Sequence, residues 1–244
     1  MKNFVLYGVL ICLVLFQADN VHAGKPESKV LVFAKTKGFF HASIPKGLVT
    51  LMKICQQDGI QVDTSRDAAV FTDELLSQYK AVVFLNTTGD ILNDAQQAAF
   101  ERYIKQGGGF VGIHAATDTE YDWPWYNKLV GAYFLSHPPK QQVAVIRVTD
   151  KTHPATEFLP DEWIRTDEWY DFKSISPDIK VLAYLDEKSY SGGRNGEKHP
   201  FICYHEFEGG RAFYTGAGHR DDNYDEVLLQ KQLLAAIRWA GKIK

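Results

Sequence analysis

The sequence contains no run of lysine and arginine and no basic patch, and its 27 Lys and Arg against 30 Asp and Glu leave a net charge of −3. That balance argues against a nucleic-acid partner or an anionic membrane surface. Cysteine is scarce, with three residues. Cys55 falls in a helical pattern and Cys203 in a strand pattern, so buried thiols are expected rather than a bridge. No His-x-x-x-His or His-Glu-x-x-His run marks a compact zinc site, and no Gly-x-Ser-x-Gly elbow marks a serine nucleophile. No Pro, Gly or Ser-rich linker, internal repeat or low-complexity segment divides the chain.

One long apolar run is present, Phe4 to Phe16, preceded by Met1-Lys2-Asn3 and followed by Val21-His22-Ala23. This is the layout of a secretory signal peptide over residues 1–23, cut after Ala23. The run is too short to span a membrane comfortably. Cys12 lies inside it behind Ile11, where a lipoprotein signal would want a small residue. The expectation is therefore a soluble, secreted or periplasmic protein with no membrane attachment once the signal is removed. Residues 24–244 then form a single domain.

Strand and helix signals alternate along the first half as they do in a parallel sheet with crossover helices. Strands are expected at 29–34, 60–64, 81–85 and 110–113. Helices are expected at about 43–58, near 73–78, and from a capping box at Asn93 and Gln96 to Gln106. The order β, α, β, α, β, α, β predicts an α/β fold, flavodoxin-like and doubly wound, with a mostly parallel sheet and helices on both faces. The second half is richer in strands, at 143–148, 181–185, 201–206 and 211–215, with a turn at Glu208-Gly209-Gly210. In the closing helix from about 226 to 240, Leu229, Leu233, Ala236, Ile237 and Ala240 share one face.

In such a sheet ligands sit beyond the carboxyl ends of the strands. His41 follows the first strand, Asn86 and Thr87 the third, His114 and Asp118 the fourth, and His219 the last. Three histidines, an amide, hydroxyls and a carboxylate are thereby directed to one rim. Single loop histidines often only satisfy backbone groups, but a shared placement after strand ends predicts a common pocket. His153, His199 and His205 stand in loop or outer-strand contexts that suit surface or structural roles.

The runs Gly38-Phe39-Phe40-His41-Ala42-Ser43-Ile44-Pro45, Phe84-Leu85-Asn86-Thr87-Thr88-Gly89-Asp90, Gly107 to Trp125, Ser136-His137-Pro138, Thr166-Asp167-Glu168-Trp169-Tyr170 and Tyr214-Thr215-Gly216-Ala217-Gly218-His219 resemble the ThuA-like, trehalose-utilisation family from about Lys29 to Gly241. The resemblance implies a class I glutamine amidotransferase-like fold and a role in carbohydrate catabolism, through trehalose-like glycosides or keto-sugars. One departure bears on chemistry. Where amidotransferases of this fold present a nucleophilic cysteine, this chain reads His114-Ala115-Ala116, so glutamine hydrolysis is not expected.

Two chemistries then suit a sugar. In one, His41, His114 and His219 hold a divalent metal such as zinc that polarises a carbonyl or hydroxyl. In the other, His114 and Glu168 act as a metal-free acid/base pair, with no cofactor. A glycosidase-like pair drawn from Asp167 or Glu168 and Asp118 or Glu120 ranks third. Catalysis is assigned to His114 and Glu168, and sugar contacts to Asn86, Thr87, Asp118, Trp123, His137 and Tyr170. Trp123 lies in the aromatic segment Tyr121-Asp122-Trp123-Pro124-Trp125-Tyr126, whose faces can pack on sugar rings, whereas Trp125 and Tyr126 read as core. His114 is taken as a rim side chain whose loss should spare the fold. The alternative is a non-catalytic periplasmic saccharide-binding or accessory protein using the same pocket.

Overall fold

The computed structural model describes Met1 and residues 28–244. The expected signal peptide lies outside the described residues. No helix among the described residues is long and apolar enough to cross a membrane.

The first half follows the sequence pattern closely. In chain order it comprises β1 (Lys29–Phe33), α1 (Ile44–Gln57), β2 (Gln61–Ser65), α2 (Asp73–Leu76), β3 (Ala81–Leu85), α3 (Asp94–Lys105), β4 (Gly109–Ile113) and α4 (Pro124–Val130). The capping box of α3 forms as expected, with the Asn93 side chain accepting from the Gln96 backbone and the Gln96 side chain from that of Asn93. After these come β5 (Tyr133–Ser136), β6 (Gln142–Val148), β7 (Glu162–Asp167), β8 (Asp171–Lys173), β9 (Lys180–Asp186), β10 (Pro200–Phe207), β11 (Gly210–Thr215) and α5 (Val227–Ala240). Strands β5, β7 and β8 carry no clear signal in the sequence pattern.

A nine-stranded sheet runs β2-β1-β3-β4-β11-β10-β9-β6-β7. Its first five strands are parallel, and each of the remaining four is antiparallel to its neighbour. The sheet is therefore a five-stranded parallel block with an antiparallel extension. Among the described residues no α-helix lies between α4 and β11, so strands β6, β7, β9 and β10 are joined without the crossover helices that parallel pairing needs. Strands β5 and β8 pair as a separate two-stranded ribbon.

Along the central parallel strands, successive side chains alternate between two cores. Val30, Val32, Val83 and Val111 face a core with Leu51 and Ile54 of α1 and Leu229, Leu233 and Ile237 of α5. Leu31, Phe33, Val82, Phe84 and Phe110 face a second core with Leu76, Phe100, Tyr126 and Leu129 of the other helices. The parallel strands are thus apolar on both faces, as a sheet covered on both sides requires. The end of α5 packs so closely on β4 that a Cβ on Gly109 would stand 2.5 Å from the Ala240 backbone. Cys55 and Cys203 are free and buried, and burial pushes both thiols up to about 12.

Candidate functional site

The loops that follow β1, β3, β4 and β11 meet at the carboxyl rim of the parallel half. The loop after β1 is tied to the loop after β3, with Thr36 bridging Thr88 and the Lys37 N–H donating to the Thr88 carbonyl at 2.8 Å. This brings His41 over the rim just before α1. Strand β4 ends in a left-handed residue, His114 at φ 45°, and turns directly into a tight 3-10 turn over His114–Thr117. Positive φ is uncommon outside glycine, although histidine adopts it more readily than most side chains. Here the Tyr214 hydroxyl donates to the His114 carbonyl at 2.9 Å, and the ring Nδ1 lies 3.1 Å from the Gly216 carbonyl. A carbonyl only accepts, so Nδ1 carries the proton and Nε2 presents a lone pair.

His219 follows β11, and Glu168 follows β7 from the far edge of the sheet. Both are seated by Asp167, a fully buried carboxylate that accepts from the backbone N–H groups of Glu168 (3.0 Å), Gly218 (3.1 Å) and His219 (3.2 Å). Arg165, itself buried, lies 3.3 Å from Asp167 and 3.2 Å from Glu226. Neither Asp167 nor Arg165 is marked as a positioning group by any local motif. Their inward aim on an edge strand is the signal that would have revealed them.

The result is a compact cluster. One ligand atom each from His41, His114, Glu168 and His219 lies within 4.8 Å of the others. His219 Nδ1 is 3.0 Å from Glu168 Oε2 and 3.3 Å from His114 Nε2, and His114 Nε2 is 3.5 Å from Glu168 Oε2. His41 completes the group, its ring 5.1 Å from that of His114 and 5.2 Å from that of His219. Burial, reinforced by the neighbouring imidazoles of His114 and His219, lowers His41 to about 2, so this ring is neutral at any working pH. Its Nδ1 is buried without a hydrogen-bond partner among the described residues. Burial alone would raise Glu168, but the imidazoles of His114 and His219 beside it outweigh that effect and hold the carboxyl well below its ordinary range.

Three of the six residues expected to contact sugar border this cluster. The Tyr170 ring lies 4.2 Å from that of His114, and its hydroxyl is 3.3 Å from His41 Nε2. His137 Nδ1 is 3.4 Å from Glu168 Oε1 and 2.8 Å from the Pro138 carbonyl, and its ring is partly open to solvent. Asp118 is half-buried and accepts from the Tyr121 hydroxyl at 2.6 Å, and burial raises its pKa. Asn86 and Thr87 are buried beneath the rim. The Asn86 amide donates to Ser43 Oγ and the Gly218 carbonyl, while the Thr87 hydroxyl pairs with that of Thr119. Trp123 stands apart, stacked on Trp125 at 5.0 Å, with its indole N–H donating to Glu101.

His114 is not an open rim side chain, since it is fully buried against Tyr170. Of the other histidines, His153, His199 and His205 are all buried, so none lies on the surface. His199 is held between Glu187 and the Tyr170 carbonyl, both at 2.8 Å.

Histidines and a carboxylate thus gather at the carboxyl rim of the sheet, the place where α/β folds of this kind bind their ligands. A family model described as ThuA, trehalose utilisation, matches residues 29–240, and the chain belongs to that family. Among solved structures it is similar to a ThuA-like protein from Bacteroides uniformis, with 25% identity over 92% of this chain and 95% of that one and a TM-score of 0.76. A ThuA-like protein from Parabacteroides merdae gives 23% identity, 89% and 91% coverage, and a TM-score of 0.74. The fold also matches 31% of a beta-galactosidase from Bacillus circulans sp. alkalophilus, over 89% of this chain, at 15% identity and a TM-score of 0.58. No curated protein matches the sequence.

Proposed function

We propose that the cluster of His41, His114, His219 and Glu168 is a catalytic centre for a trehalose-like glycoside or keto-sugar, and that these side chains hold a divalent metal such as zinc. One observation carries this reading. In a tetrahedral zinc centre with bonds of about 2.0–2.1 Å, neighbouring donor atoms stand roughly 3.3 Å apart. His114 Nε2, His219 Nδ1 and Glu168 Oε2 form a triangle with sides of 3.3, 3.0 and 3.5 Å. The donor chemistry fits as well. His114 gives its Nδ1 proton to a backbone carbonyl and keeps Nε2 free, the arrangement usual for a metal-ligating histidine. His41 is held neutral, and Glu168 is held ionised.

A metal bound there supplies Lewis-acid polarisation of a sugar oxygen. The other residues take the remaining roles. His137 donates Nδ1–H to the Pro138 carbonyl, which leaves Nε2 to take a proton from the sugar at the open side of the cluster. Tyr170 orients the sugar beside His114, and Asp118 accepts from one of its hydroxyls. Asn86 and Thr87 shape the floor. The order β2-β1-β3-β4-β11 supports taking the parallel half as flavodoxin-like and doubly wound, with its ligand beyond the strand carboxyl ends. In the same reading the protein is exported after loss of residues 1–23, which the intact mass of protein recovered from its host would check.

The test is elemental analysis joined to an assay with glycosides and their 3-keto derivatives. Wild type should hold about one divalent ion per chain, lose turnover on chelation and regain it on zinc addition. Glu168→Gln should lower metal content at least tenfold and abolish turnover while keeping the wild-type circular dichroism spectrum. Turnover that survives both chelation and Glu168→Gln would refute the assignment. A wild type that binds sugars and converts none would make this a saccharide-binding protein.

A further inference from the structure

Beside the cluster lies a cleft of about 480 Å³, bounded by Phe39, Phe40, Gln141, Arg220 and Asp222, with His219 in its wall. We propose that this cleft binds the second ring of the substrate, so that the site takes an uncharged two-ring glycoside. One ring sits at the His/Glu cluster and the other lies on Phe39 and Phe40. The inference rests on reading the cluster as the catalytic centre, and deepens that reading by naming the substrate class.

Continuity is the first argument. His219 belongs both to the donor triangle and to the wall of the cleft, so the two sites adjoin at that side chain. The volume lies within the roughly 300–1,000 Å³ of small-ligand sites.

The second argument is the two aromatic rings. Phe39 is 65% exposed and Phe40 is 47% exposed. Their loop does not put them there through slackness. The Thr88 hydroxyl donates to the Phe39 carbonyl at 2.9 Å, and the Lys37 N–H is fixed to the Thr88 carbonyl. Gly89 is left-handed, at φ 74°, and a Cβ there would press on the Gly38 nitrogen at 3.1 Å. A loop clamped this firmly holds two large apolar rings in water at the mouth of a site, which is how a binding surface is marked. The C–H face of a sugar ring packs on such rings.

The third argument is the opposite wall. The Arg220 guanidinium donates to Asp222 Oδ1 at 2.7 Å and to Gln141 Oε1 at 2.6 Å. These polar groups are thereby held in place, and the Asp222 carboxylate keeps acceptor capacity for sugar hydroxyls. Arg220 is the one Lys or Arg lining the cleft among the described residues, and its fork is already engaged, while Arg66 outside the lining stacks over the Phe40 ring at 5.3 Å. The cleft therefore favours a neutral saccharide over a phosphorylated one.

Calorimetric titration with trehalose, maltose, cellobiose and glucose tests this in wild type, Phe39→Ala, Phe40→Ala and Phe39→Tyr, each checked for metal content and thermal midpoint. Wild type should bind at least one disaccharide more tightly than glucose. Both alanine variants should weaken that disaccharide about tenfold while leaving glucose affinity and metal content within about twofold, and Phe39→Tyr should keep the wild-type value. A wild type with no disaccharide preference, or alanine variants that bind the disaccharide as wild type does, would overturn the subsite. If the preference and its loss appear in a protein that holds no metal, the subsite stands and the metal-centre reading falls.

Discussion

Glu168 and Asp118 show how two carboxylates near His114 diverge. Burial raises both, but Glu168 also lies within 3.5 Å of two imidazoles, and their influence outweighs burial. Asp167 is the residue whose loss should spread furthest. It seats Glu168, Gly218 and His219 through their backbone N–H groups and lies against the buried Arg165. Asp167→Asn keeps the size but removes the charge, leaving Arg165 with only Glu226 in reach. The expected cost is about 3 kcal/mol in urea unfolding. Metal affinity should fall with it, because His219 and Glu168 lose their common anchor. A variant as stable as wild type, with unchanged metal affinity, would show that the anchor is not needed. His114 carries a related lesson. Being buried and left-handed, it tolerates Asn better than Ala, since Asn adopts that backbone region readily and leaves a smaller void.

At the scale of elements, the connection between β6 and β7 contains a pH-sensitive contact far from the cluster. His153 packs on Tyr204 and Trp239, with Nδ1 accepting from the Ala155 N–H and Nε2 without a hydrogen-bond partner among the described residues. Burial, with Arg211 adding to it and Asp150 opposing, lowers its pKa to about 4. Below the reference value of about 6.5 the unfolded chain takes up a proton that the folded chain refuses, so stability falls as pH drops from 6.5 to 4. The full gap corresponds to about 3 kcal/mol, reduced to roughly 2 by partial solvent screening. His153→Asn keeps an acceptor for Ala155 and should lower stability at pH 7 while flattening its decline below pH 6.5. Parallel slopes for the two proteins in denaturant titrations across that range would contradict the assignment.

At the scale of the molecule, the cluster joins two regions of the sheet. His41, His114 and His219 come from loops of the parallel half, whereas Glu168 follows β7 at the opposite edge. A metal held by all four would cross-link those regions and stabilise the whole fold by linkage. Zinc at about a hundred times its dissociation constant should add about 2.7 kcal/mol. That corresponds to about 5–10 °C in thermal midpoint for a domain of this size. Calorimetry should show the shift in wild type and not in Glu168→Gln. An equal shift in both would mean that zinc binds elsewhere.

Periodicity along the chain was sufficient for β1 to β4, for the capping box of α3 and for the buried face of α5, because each obeys a local rule of alternation, capping or helical spacing. The placement of His41, His114 and His219 after strand ends was legible for the same reason. Strand β7 was not, because its pattern is inverted. Ile164 is 61% exposed while Arg165 and Asp167 turn inward, so no local rule reads it as a strand. Strands β5 and β8, four and three residues long, are too short to carry a period. The closure of the site is decided by the fold alone. Strand β7 stands four strands from β11, roughly 19 Å in a flat sheet, and the three residues from Thr215 to Gly218 span at most about 10 Å. Asp167 nevertheless accepts from the Gly218 N–H at 3.1 Å. The antiparallel extension must therefore curl back over the rim. Strand twist accumulated over several strands supplies that curl, and twist is a property of the assembled sheet that no single segment of the sequence contains.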